Sequence, residues 1–342
     1  MSVAILVIAL AVLAWLLTAL LRRYALARSL MDVPNARSSH SVPTPRGGGV
    51  AIVVAFLGGL TLAFLLGLGI APSLYWALLG AGVGIALLGF LDDHGHIAAR
   101  WRLLGHFAAA VWALYWLGGL PPLAVFGGQL DLGWLGHVLA AFYLVWLLNL
   151  YNFMDGIDGI ASVEAICVSL GGVLVYLLVA SWQAPGLGGW LVPLLLAVAV
   201  AGFLVWNFPP ARIFMGDAGS GFIGIVLGVL SIQASATQQA LLWCWLILLG
   251  VFVVDATLTL LRRLLRGEKV YEAHRSHAYQ FAAREHGRHL PVTLAVLAVN
   301  LLWLIPVAVA VALGWLDGAL GLLIAYIPLL LLAIKYRAGE AE

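Results

Sequence analysis

Short polar segments interrupt a chain that otherwise carries few charged side chains, and they hold the residues that could do chemistry. One is the adjacent pair Asp92 and Asp93, at the end of an apolar run. Adjacent carboxylates repel each other, so such a pair is tolerated where a divalent cation or several arginines neutralise it. The pair therefore predicts a cation or an arginine cluster nearby, with a solvated helix end as the alternative.

A second polar segment, NLYNFMDGIDGIA, contains two further carboxylates. Asp155 and Asp158 are three residues apart, so on a helical turn they share one face. Gly156 and Gly159 allow a ligand to approach the backbone closely. With Asn152 in the same stretch, the segment favours a ligand site over a plain hydrophilic turn.

Asp217 stands between Gly216 and Ala218, just before another apolar run. Small residues at the start of a helix suit contact with a phosphate, because free N–H groups and the helix dipole point there. A carboxylate in the same place suits a metal ion that carries the charge of the phosphate. The alternative is an ordinary N-cap aspartate.

Histidines and an arginine complete the candidates in the loops. His274 and His277 share a helical face, and with no third protein ligand nearby a role beside a diphosphate is more natural than zinc binding. His286 and His289 have the same spacing, and we interpret them as part of a polar amphipathic stretch. Arg46, beside a run of three glycines, predicts an anionic ligand.

One acid, Asp255, lies inside an apolar run. An ionisable residue in such a run needs a partner. We expect it to pair with Arg262, Arg263 or a hydroxyl such as that of Thr257, which makes it a structural residue.

The composition places these residues in a membrane protein. Of 342 residues, 64% are hydrophobic and 9% are charged, whereas a soluble domain has about 25% charged residues. This excludes a soluble globular enzyme, a disordered protein and a disulfide scaffold. The net charge of +2 leaves no broad basic surface and argues against a nucleic-acid partner. The fold class is therefore an all-α integral membrane protein, with the lipid bilayer as its surroundings.

Long charge-free runs, divided by glycine-rich and polar breaks, predict about eleven transmembrane helices, because a span needs about 20 apolar residues. The first run is too long for the apolar core of a signal peptide, and we interpret it as a span. We treat residues 1–342 as a single membrane domain. The predicted spans are residues 3–21, 48–68, 74–91, 102–119, 133–150, 160–181, 190–208, 219–233, 240–261, 291–313 and 318–336.

The lysines and arginines give the orientation through the positive-inside rule. With the N-terminus outside, all 17 of them fall on the cytoplasmic side, where the C-terminus also lies. The loop motifs lie on the same side, so we expect an active site that faces the cytoplasm. The loops that form it are residues 22–47, 92–101, 151–159, 209–218 and 262–290.

Taken together and in this order, the motifs resemble those of the polyprenyl-phosphate N-acetylhexosamine-1-phosphate transferases, which form glycosyltransferase family 4. The matching segments are PRGGG at 45–49, the Asp92–Asp93 pair, NFMDGIDG at 152–159, FMGDAGS at 214–220 and the His274/His277 loop. The resemblance covers nearly the whole chain and is closest to the O-antigen-initiating branch. The sequence HRSH replaces the histidine triplet of the peptidoglycan enzymes, which argues against a MurNAc-pentapeptide substrate.

The resemblance implies a role for each motif position. Asp217 would be the main Mg²⁺ ligand, with Mn²⁺ as a substitute metal. The residues implied to be catalytic, at the reacting phosphates and the sugar diphosphate, are Asp92, Asp93, His274 and His277. Those implied to bind the substrate are Arg46, Asn152, Asp155, Asp158, Asn207 and Phe214, the last by stacking on uracil.

The implied reaction transfers a HexNAc-1-phosphate from its UDP-sugar to undecaprenyl phosphate in the bacterial inner membrane, with release of UMP. The sugar would be FucNAc, QuiNAc or GlcNAc, and the product would begin a cell-envelope glycan such as O-antigen. Because the acceptor phosphate is mostly dianionic at pH 7, we expect metal electrostatics to matter at least as much as proton removal. A double displacement through an aspartyl-phosphate is the other mechanism, and a transporter or flippase is the other function. The sequence leaves open whether the chain forms a homodimer.

Overall fold

The protein is built from helices, as the apolar runs predict. The computed structural model describes residues 3–34, 39–95, 97–180, 188–268 and 274–341, so parts of the predicted loops, at 35–38 and 269–273, lie outside the described residues. In a bilayer a helix satisfies the polar groups of its own backbone within one segment. The helices are α1 (Val3–Ala27), α2 (Gly49–Leu65), α3 (Pro72–Gly95), α4 (Ala99–Leu117), α5 (Gly133–Met154), α6 (Ile160–Ala180), α7 (Gly188–Asn207), α8 (Asp217–Thr237), α9 (Ala240–Leu248), α10 (Gly250–Leu265), α11 (Ala278–His286), α12 (Leu290–Val299), α13 (Ile305–Ala312) and α14 (Gly318–Lys335).

The all-α membrane fold is confirmed, and each of the eleven predicted spans coincides with one helix or with two consecutive helices. Among the described residues, eight helical segments are long and apolar enough to cross a membrane, and the bent pair α9–α10 brings the number to nine. Helix α2 is apolar but has only 17 residues, and α4 carries two arginines in its first turn. A count of eleven therefore stays a prediction for α2 and α4.

Helix α8 lies at the centre of the bundle. Its most apolar 18 residues are 89% buried inside the protein, compared with 22% for α1. It contacts α2, α3, α5 and α9. The many glycine and serine residues in α8 suit a helix that packs against other helices instead of lipid. The sequence predicts a shorter span, 219–233, because the polar stretch Gln233–Gln239 is interpreted as a break, whereas the helix continues to Thr237.

Glycines let three helices approach closely at the first turn of α8. Gly89 of α3 lies against the backbone of Asp217, and Gly49 of α2 lies against Gly219. The segment before α8 is also hydrogen-bonded to the first loop, because the N–H of Phe214 donates to the carbonyl of Pro45 over 2.8 Å. The first and fourth loops of the sequence are thereby held side by side.

Two short hairpins complete the fold. Strands β1 (Met31–Asp32) and β2 (Thr44–Pro45) pair antiparallel within the first loop. Strands β3 (Leu123–Val125) and β4 (Gly128–Leu130) pair antiparallel at the opposite end of the bundle, between α4 and α5. There the N–H of Phe126 donates to Asp317 over 2.9 Å, and Trp243 donates to the carbonyl of Ala124 over 2.6 Å. The loop motifs and this hairpin therefore occupy opposite ends of the protein.

Two of the spanning segments are interrupted. Helices α9 and α10 are bent by 70° at Leu249. Between α12 and α13, residues Asn300–Leu304 form a π turn, closed by a bond from the N–H of Ile305 to the carbonyl of Asn300. Pro306 has no N–H to donate to the preceding turn, which accounts for the altered hydrogen bonding here. Neither interruption is visible in the hydropathy along the sequence, because the residues on both sides are equally apolar.

Candidate active site

Asp217 is the first residue of α8, and its side chain lies where α3, α4 and α5 converge on that helix. Gly216 before it has a φ of +77°, which glycine adopts without strain. Asn152 of α5 donates to Oδ1 of Asp217 over 2.8 Å and to the hydroxyl of Ser220 over 3.0 Å. Nη1 of Arg102 lies 4.0 Å from Oδ2 of Asp217. The structure thus brings together Asn152 and Asp217, which the sequence predicted for one site.

The two carboxylates of the Asp92–Asp93 pair have different neighbours. Asp92 is almost buried and forms an ion pair with Arg102. Oδ2 of Asp93 lies 3.4 Å from the N–H of Ala218 at the start of α8, and a helix N-terminus favours a carboxylate. Arg46 donates to the backbone carbonyl of Asp93. The predicted pair is therefore divided, with one carboxylate on an arginine and the other facing the turn that carries Asp217.

Asp155 and Asp158, just after α5, also have different neighbours. Asp158 accepts hydrogen bonds from the N–H of Ala211 over 3.0 Å and from Nδ1 of His289 over 3.1 Å. Burial acts to raise the pKa of Asp158, but these donors outweigh it and hold the pKa below its ordinary value. Burial, followed by the negative charge of Asp217, raises the pKa of Asp155 well above its ordinary value. Asp155 is therefore the carboxylate in this loop whose ionised form most needs a cation.

An apolar groove of about 390 Å³ opens between α3, α4 and α5. Leu88, Leu103 and Leu148 form part of its walls, and Arg100 and Arg102 lie at its polar end. Leu103 is 48% exposed on the outer surface of the bundle, so this wall adjoins the region that lipid would occupy. The groove suits a long apolar molecule that ends in an anionic group.

A polar pocket of about 380 Å³ lies on the other side of Asp217. It is lined by both polar and aromatic side chains, among them Arg46, Asp93, Asp155, Asp158, Phe214 and Gln280. Asn152 and Asp217 line the polar pocket and the apolar groove alike. The two cavities, each within the size range of ligand sites, therefore meet at these two residues.

Comparison with known proteins fits this arrangement. A family model described as glycosyl transferase family 4 matches residues 75–235. A phospho-N-acetylmuramoyl-pentapeptide-transferase of Moorella thermoacetica is 35% identical over 237 residues, which are 64% of this chain and 69% of that protein. The chain belongs to glycosyl transferase family 4.

Two further relatives of this family 4 protein resemble it over more of its length. A probable undecaprenyl-phosphate N-acetylglucosaminyl 1-phosphate transferase of Bacillus subtilis is 29% identical over 275 residues, covering 77% of this chain and 72% of that protein. A decaprenyl-phosphate N-acetylglucosaminephosphotransferase of Mycobacterium tuberculosis is 27% identical over 327 residues, covering 84% of this chain and 77% of that protein. The family model covers all five aspartates of the site, whereas Arg46 and the histidine loop lie outside it.

Asn207 of this family 4 protein lies at the polar pocket, as expected of a residue of the nucleotide site, and is hydrogen-bonded within the chain. It borders the polar pocket but is only 3% exposed. Its carbonyl oxygen accepts from the N–H of Gly159 over 3.1 Å and from Ser162 over 3.3 Å, and its amide donates to the carbonyl of Ile213 over 3.1 Å. Asn207 thus holds the third loop against the fourth, and its direct contact with the substrate stays a prediction.

His274 and His277 line neither the groove nor the pocket, and His277 is only 2% exposed. Nδ1 of His277 lies 3.3 Å from Asp255, whose carboxylate also accepts from the N–H groups of Ala278 and Tyr279. In the structure His277 helps to hold α11 in place, and a direct catalytic role for His274 and His277 stays a prediction. His274 lies next to it, with ring centres 4.8 Å apart.

Asp255 is structural, as the sequence predicts, but its partners are different. It accepts from the hydroxyl of Thr259 over 3.2 Å, not from Thr257. Arg263 instead pairs with Glu268 over 2.7 Å. An apolar helix with one buried acid gives no indication of which neighbouring loop that acid will bind.

His289, interpreted from the sequence as part of a polar stretch, is a residue of the site. Its Nδ1 contacts Asp158, and its Nε2 lies 3.0 Å from the carbonyl of Ser39 in the first loop. Burial acts to lower the pKa of His289, but the hydrogen bond and charge of Asp158 outweigh it and raise the pKa. The only signal in the sequence is the position of His289 just before the apolar helix α12.

Phe214 lies at the mouth of the polar pocket with its ring partly exposed. The imidazole of His40 packs against it edge to face, with ring centres 4.8 Å apart. One face of Phe214 is therefore supported by the first loop, and an aromatic ring in this setting can stack on a planar ligand.

The carboxylates at the junction fit a loosely held divalent cation. No group of three His, Cys, Asp or Glu side chains within the described part of the chain is arranged to enclose a metal ion. Mg²⁺ is usually bound through one or two carboxylates together with substrate phosphates and water, without an all-protein cage. Asp217, which interacts electrostatically with both Asp93 and Asp155, forms with them a donor set of that kind.

Proposed function

We propose that the protein transfers a HexNAc-1-phosphate from a UDP-HexNAc donor to a polyprenyl phosphate and releases UMP. The observation that supports this most is the meeting of two unlike cavities at Asp217 and Asn152. A transfer between a lipid and a nucleotide needs one apolar site, one polar site and a shared point of reaction. The relatives named above carry out reactions of this type, with polyprenyl phosphates or a phospho-sugar in their names.

In this proposal the apolar groove holds the acceptor. The isoprenoid chain lies along Leu88, Leu103 and Leu148, and the phosphate reaches the polar end of the groove. Arg100 and Arg102 stand there, and a guanidinium binds phosphate through two parallel N–H donors. The ion pair of Arg102 with Asp92 fixes the direction of that guanidinium beside Asp217.

The polar pocket holds the donor. Phe214 offers a ring for the base, and Asp158, kept ionised by His289, offers an acceptor oxygen to the N3–H of the uracil. Arg46 stands on the wall beside Asp93 and attracts the diphosphate. We assign no residue to the sugar of the donor, and the donor sugars proposed are FucNAc, QuiNAc and GlcNAc.

The chemical step is the attack of an acceptor phosphate oxygen on the phosphorus that carries the sugar. A new P–O bond forms, the bond from that phosphorus to the UMP oxygen breaks, and UMP leaves with the electron pair. With a second pKa near 6, roughly nine-tenths of the acceptor is already the dianion at pH 7, so a protein base gains little. When bound at Asp217, Mg²⁺ would supply positive charge against the repulsion between the two anionic substrates. Asn152 and Arg102 hold Asp217 in place, and Asp93 of α3 faces the first turn of α8 that carries Asp217.

We further propose that the reaction takes place at the cytoplasmic face of the bacterial inner membrane, where it begins a cell-envelope glycan such as O-antigen. The positive-inside distribution and the location of the five aspartates of the site at one end of the bundle support the cytoplasmic face. The same location argues against a transporter, whose site would lie near the middle of the membrane.

The test uses purified protein with undecaprenyl phosphate, Mg²⁺ and a panel of UDP-HexNAc donors, with UMP release as the readout. We expect release with one donor, abolished by EDTA and by Asp217→Asn. The matched control is Asp131→Asn, since Asp131 lies at the opposite end, where it accepts from the N–H of Gly133. Folded protein that releases no UMP with any donor would refute the proposal, and lipid flipping would then be measured.

A further inference from the structure

A buried acid–amide pair lies deep in the bundle, away from the two cavities. Glu164 of α6 and Asn300 of the π turn are both 0% exposed. The amide of Asn300 donates to Oε2 of Glu164 over 2.7 Å and also to the carbonyl of Val296 over 3.0 Å. An acid in such a position is costly and needs a reason.

The first turn of α10 lies against this pair. Because α9 and α10 are bent by 70° at Leu249, α10 begins inside the protein, where its free N–H groups have no water to bind. The backbone N–H of Phe252, in this first turn, interacts with the carboxyl group of Glu164. Glu164 is therefore placed to cap α10 from a neighbouring helix.

Two oxygens of the pair have no donor. Within the described residues, Oε1 of Glu164 and Oδ1 of Asn300 are both buried and without a hydrogen-bond partner. They belong to the two side chains that are already joined by one hydrogen bond. A single proton on the carboxyl group would satisfy both oxygens at once, since a carboxylic acid and an amide can donate to each other. It would also remove a charge that has only neutral partners here.

We propose that Glu164 is a neutral carboxylic acid that pairs reciprocally with Asn300, caps α10 and thereby acts as a positioning residue for the active site. The proton stays on the carboxyl group and donates to the amide oxygen of Asn300. The carboxyl oxygen that remains accepts from the Asn300 amide and from Phe252.

The three helices that meet at this pair carry loops of the site. Helix α6 follows the Asp155–Asp158 loop directly. On α10, Asp255 lies one turn beyond Phe252 and holds the N–H groups of Ala278 and Tyr279. On α12, Thr293 donates to the carbonyl of Asp158 over 2.8 Å. A change in the direction of α10 would therefore move α11, whose Gln280 lines the polar pocket.

The test compares Glu164→Gln, which keeps one donor and one acceptor, with Glu164→Leu, which keeps neither. Hydrogen exchange of the amides in residues 250–254, read by mass spectrometry in nanodiscs, should match wild type in E164Q. It should be about tenfold faster in E164L, as expected when a buried hydrogen bond is lost. The matched control is Ser169→Ala, because Ser169 is also fully buried on α6 and its hydroxyl has no partner in the described residues. Exchange unchanged in E164L, or equally fast in E164Q, would overturn the proposal.

A second measurement does not depend on how E164L folds. The infrared difference spectrum of wild type minus E164Q should show the carbonyl band of a protonated carboxylic acid. A carboxylate band in its place would refute the neutral acid. Neither readout uses turnover, so both stand even if the proposed transferase reaction fails. If that reaction holds, the KM for the UDP-sugar should rise in E164L and return to the wild-type value in E164Q.

Discussion

The packing of α3 against the start of α8 leads to the sharpest prediction, the substitution Gly89→Ala. A methyl group on residue 89 would lie 2.6 Å from the carbonyl carbon of Asp217 and 2.6 Å from the amide nitrogen of Ala218. Ordinary contacts between heavy atoms lie at about 3.5–4.0 Å, so the methyl group overlaps the backbone of Asp217 by about 1 Å. That backbone cannot rotate away as a side chain would, and α3 or the start of α8 must move.

The expected cost follows from that overlap. Overpacking of this kind destabilises a protein by about 1–3 kcal/mol. A displacement of about 1 Å in a group that positions reactants lowers turnover by about 100-fold. Because Asp217 lies between the groove and the pocket, we expect kcat to fall more than either KM rises.

Thermal unfolding and the UMP-release assay measure the two effects in one preparation. The control is Gly84→Ala on the same helix, where a methyl group would have no other atom within 4 Å. That variant should be at least as stable as wild type, since alanine is the better helix former by about 1 kcal/mol, and its turnover should be unchanged. Wild-type turnover in G89A would show that α3 and α8 are not as close as the structure has them.

Three further predictions concern side chains around the pocket. His289→Gln should lower the unfolding temperature more near pH 6 than near pH 8.5. A histidine whose pKa is raised by folding stabilises the protein fully below its unfolded-state pKa of about 6.5, and this stabilisation is lost as the pH rises through the folded-state pKa. Asn207→Ala should destabilise the protein by about 2–3 kcal/mol in thermal unfolding because three buried hydrogen bonds are lost, and an unchanged melting temperature would contradict its positioning role. Phe214→Leu should raise the KM for the UDP-sugar by about tenfold while kcat changes little, because stacking on a base contributes about 1–3 kcal/mol. Phe214→Tyr should restore that KM, and equal KM values in the Leu and Tyr variants would show that the ring does not contribute to binding.

Much of the fold is predictable because its causes are local. Long apolar runs form helices wherever lipid or protein surrounds them, and the lengths of the runs set the number of predicted spans. The two interrupted spans show what is missing. Nothing in the apolar residues around Leu249 distinguishes a straight helix from a bent one. Pro306 is a local signal near Asn300, but α7 and α14 also contain a proline and are continuous, so a proline alone does not predict an interruption.

The site shows the same division between local and distant causes. Asp155, Asp158 and Asp217 stand out in the sequence because glycines accompany them, and they do line the pocket. His277 and His289 both follow another histidine at a spacing of three, and the family resemblance favours His277. The choice is made by partners far along the chain, since His289 meets Asp158 and His277 meets Asp255. Spacing identifies the segment but not the residue.

The charges at the junction lead to a last prediction, that donor and metal bind together. The two arginines that contact the cluster are already engaged, Arg102 with Asp92 and Arg46 with the carbonyl of Asp93. They leave Asp155 and Asp217 close together and short of positive charge, and burial, followed by the negative charge of Asp217, raises the pKa of Asp155 well above its ordinary value. A nucleotide diphosphate adds more negative charge, so under the proposed function it should enter the pocket as its Mg²⁺ complex.

Linkage then requires that Mg²⁺ and the UDP-sugar strengthen each other's binding by the same factor. We expect that factor to be at least about tenfold, in the usual range for coupled sites, when the Kd of the UDP-sugar is measured by calorimetry with and without Mg²⁺. In Asp155→Asn one negative charge is removed, so the metal-free affinity for the UDP-sugar should rise and the coupling should shrink. In Asp131→Asn, at the far end of the bundle, both should stay as in wild type. A UDP-sugar affinity that does not respond to Mg²⁺ in the wild-type protein would show that the carboxylates at the junction are neutralised from within the chain, and the proposed electrostatics of the transfer would have to be abandoned.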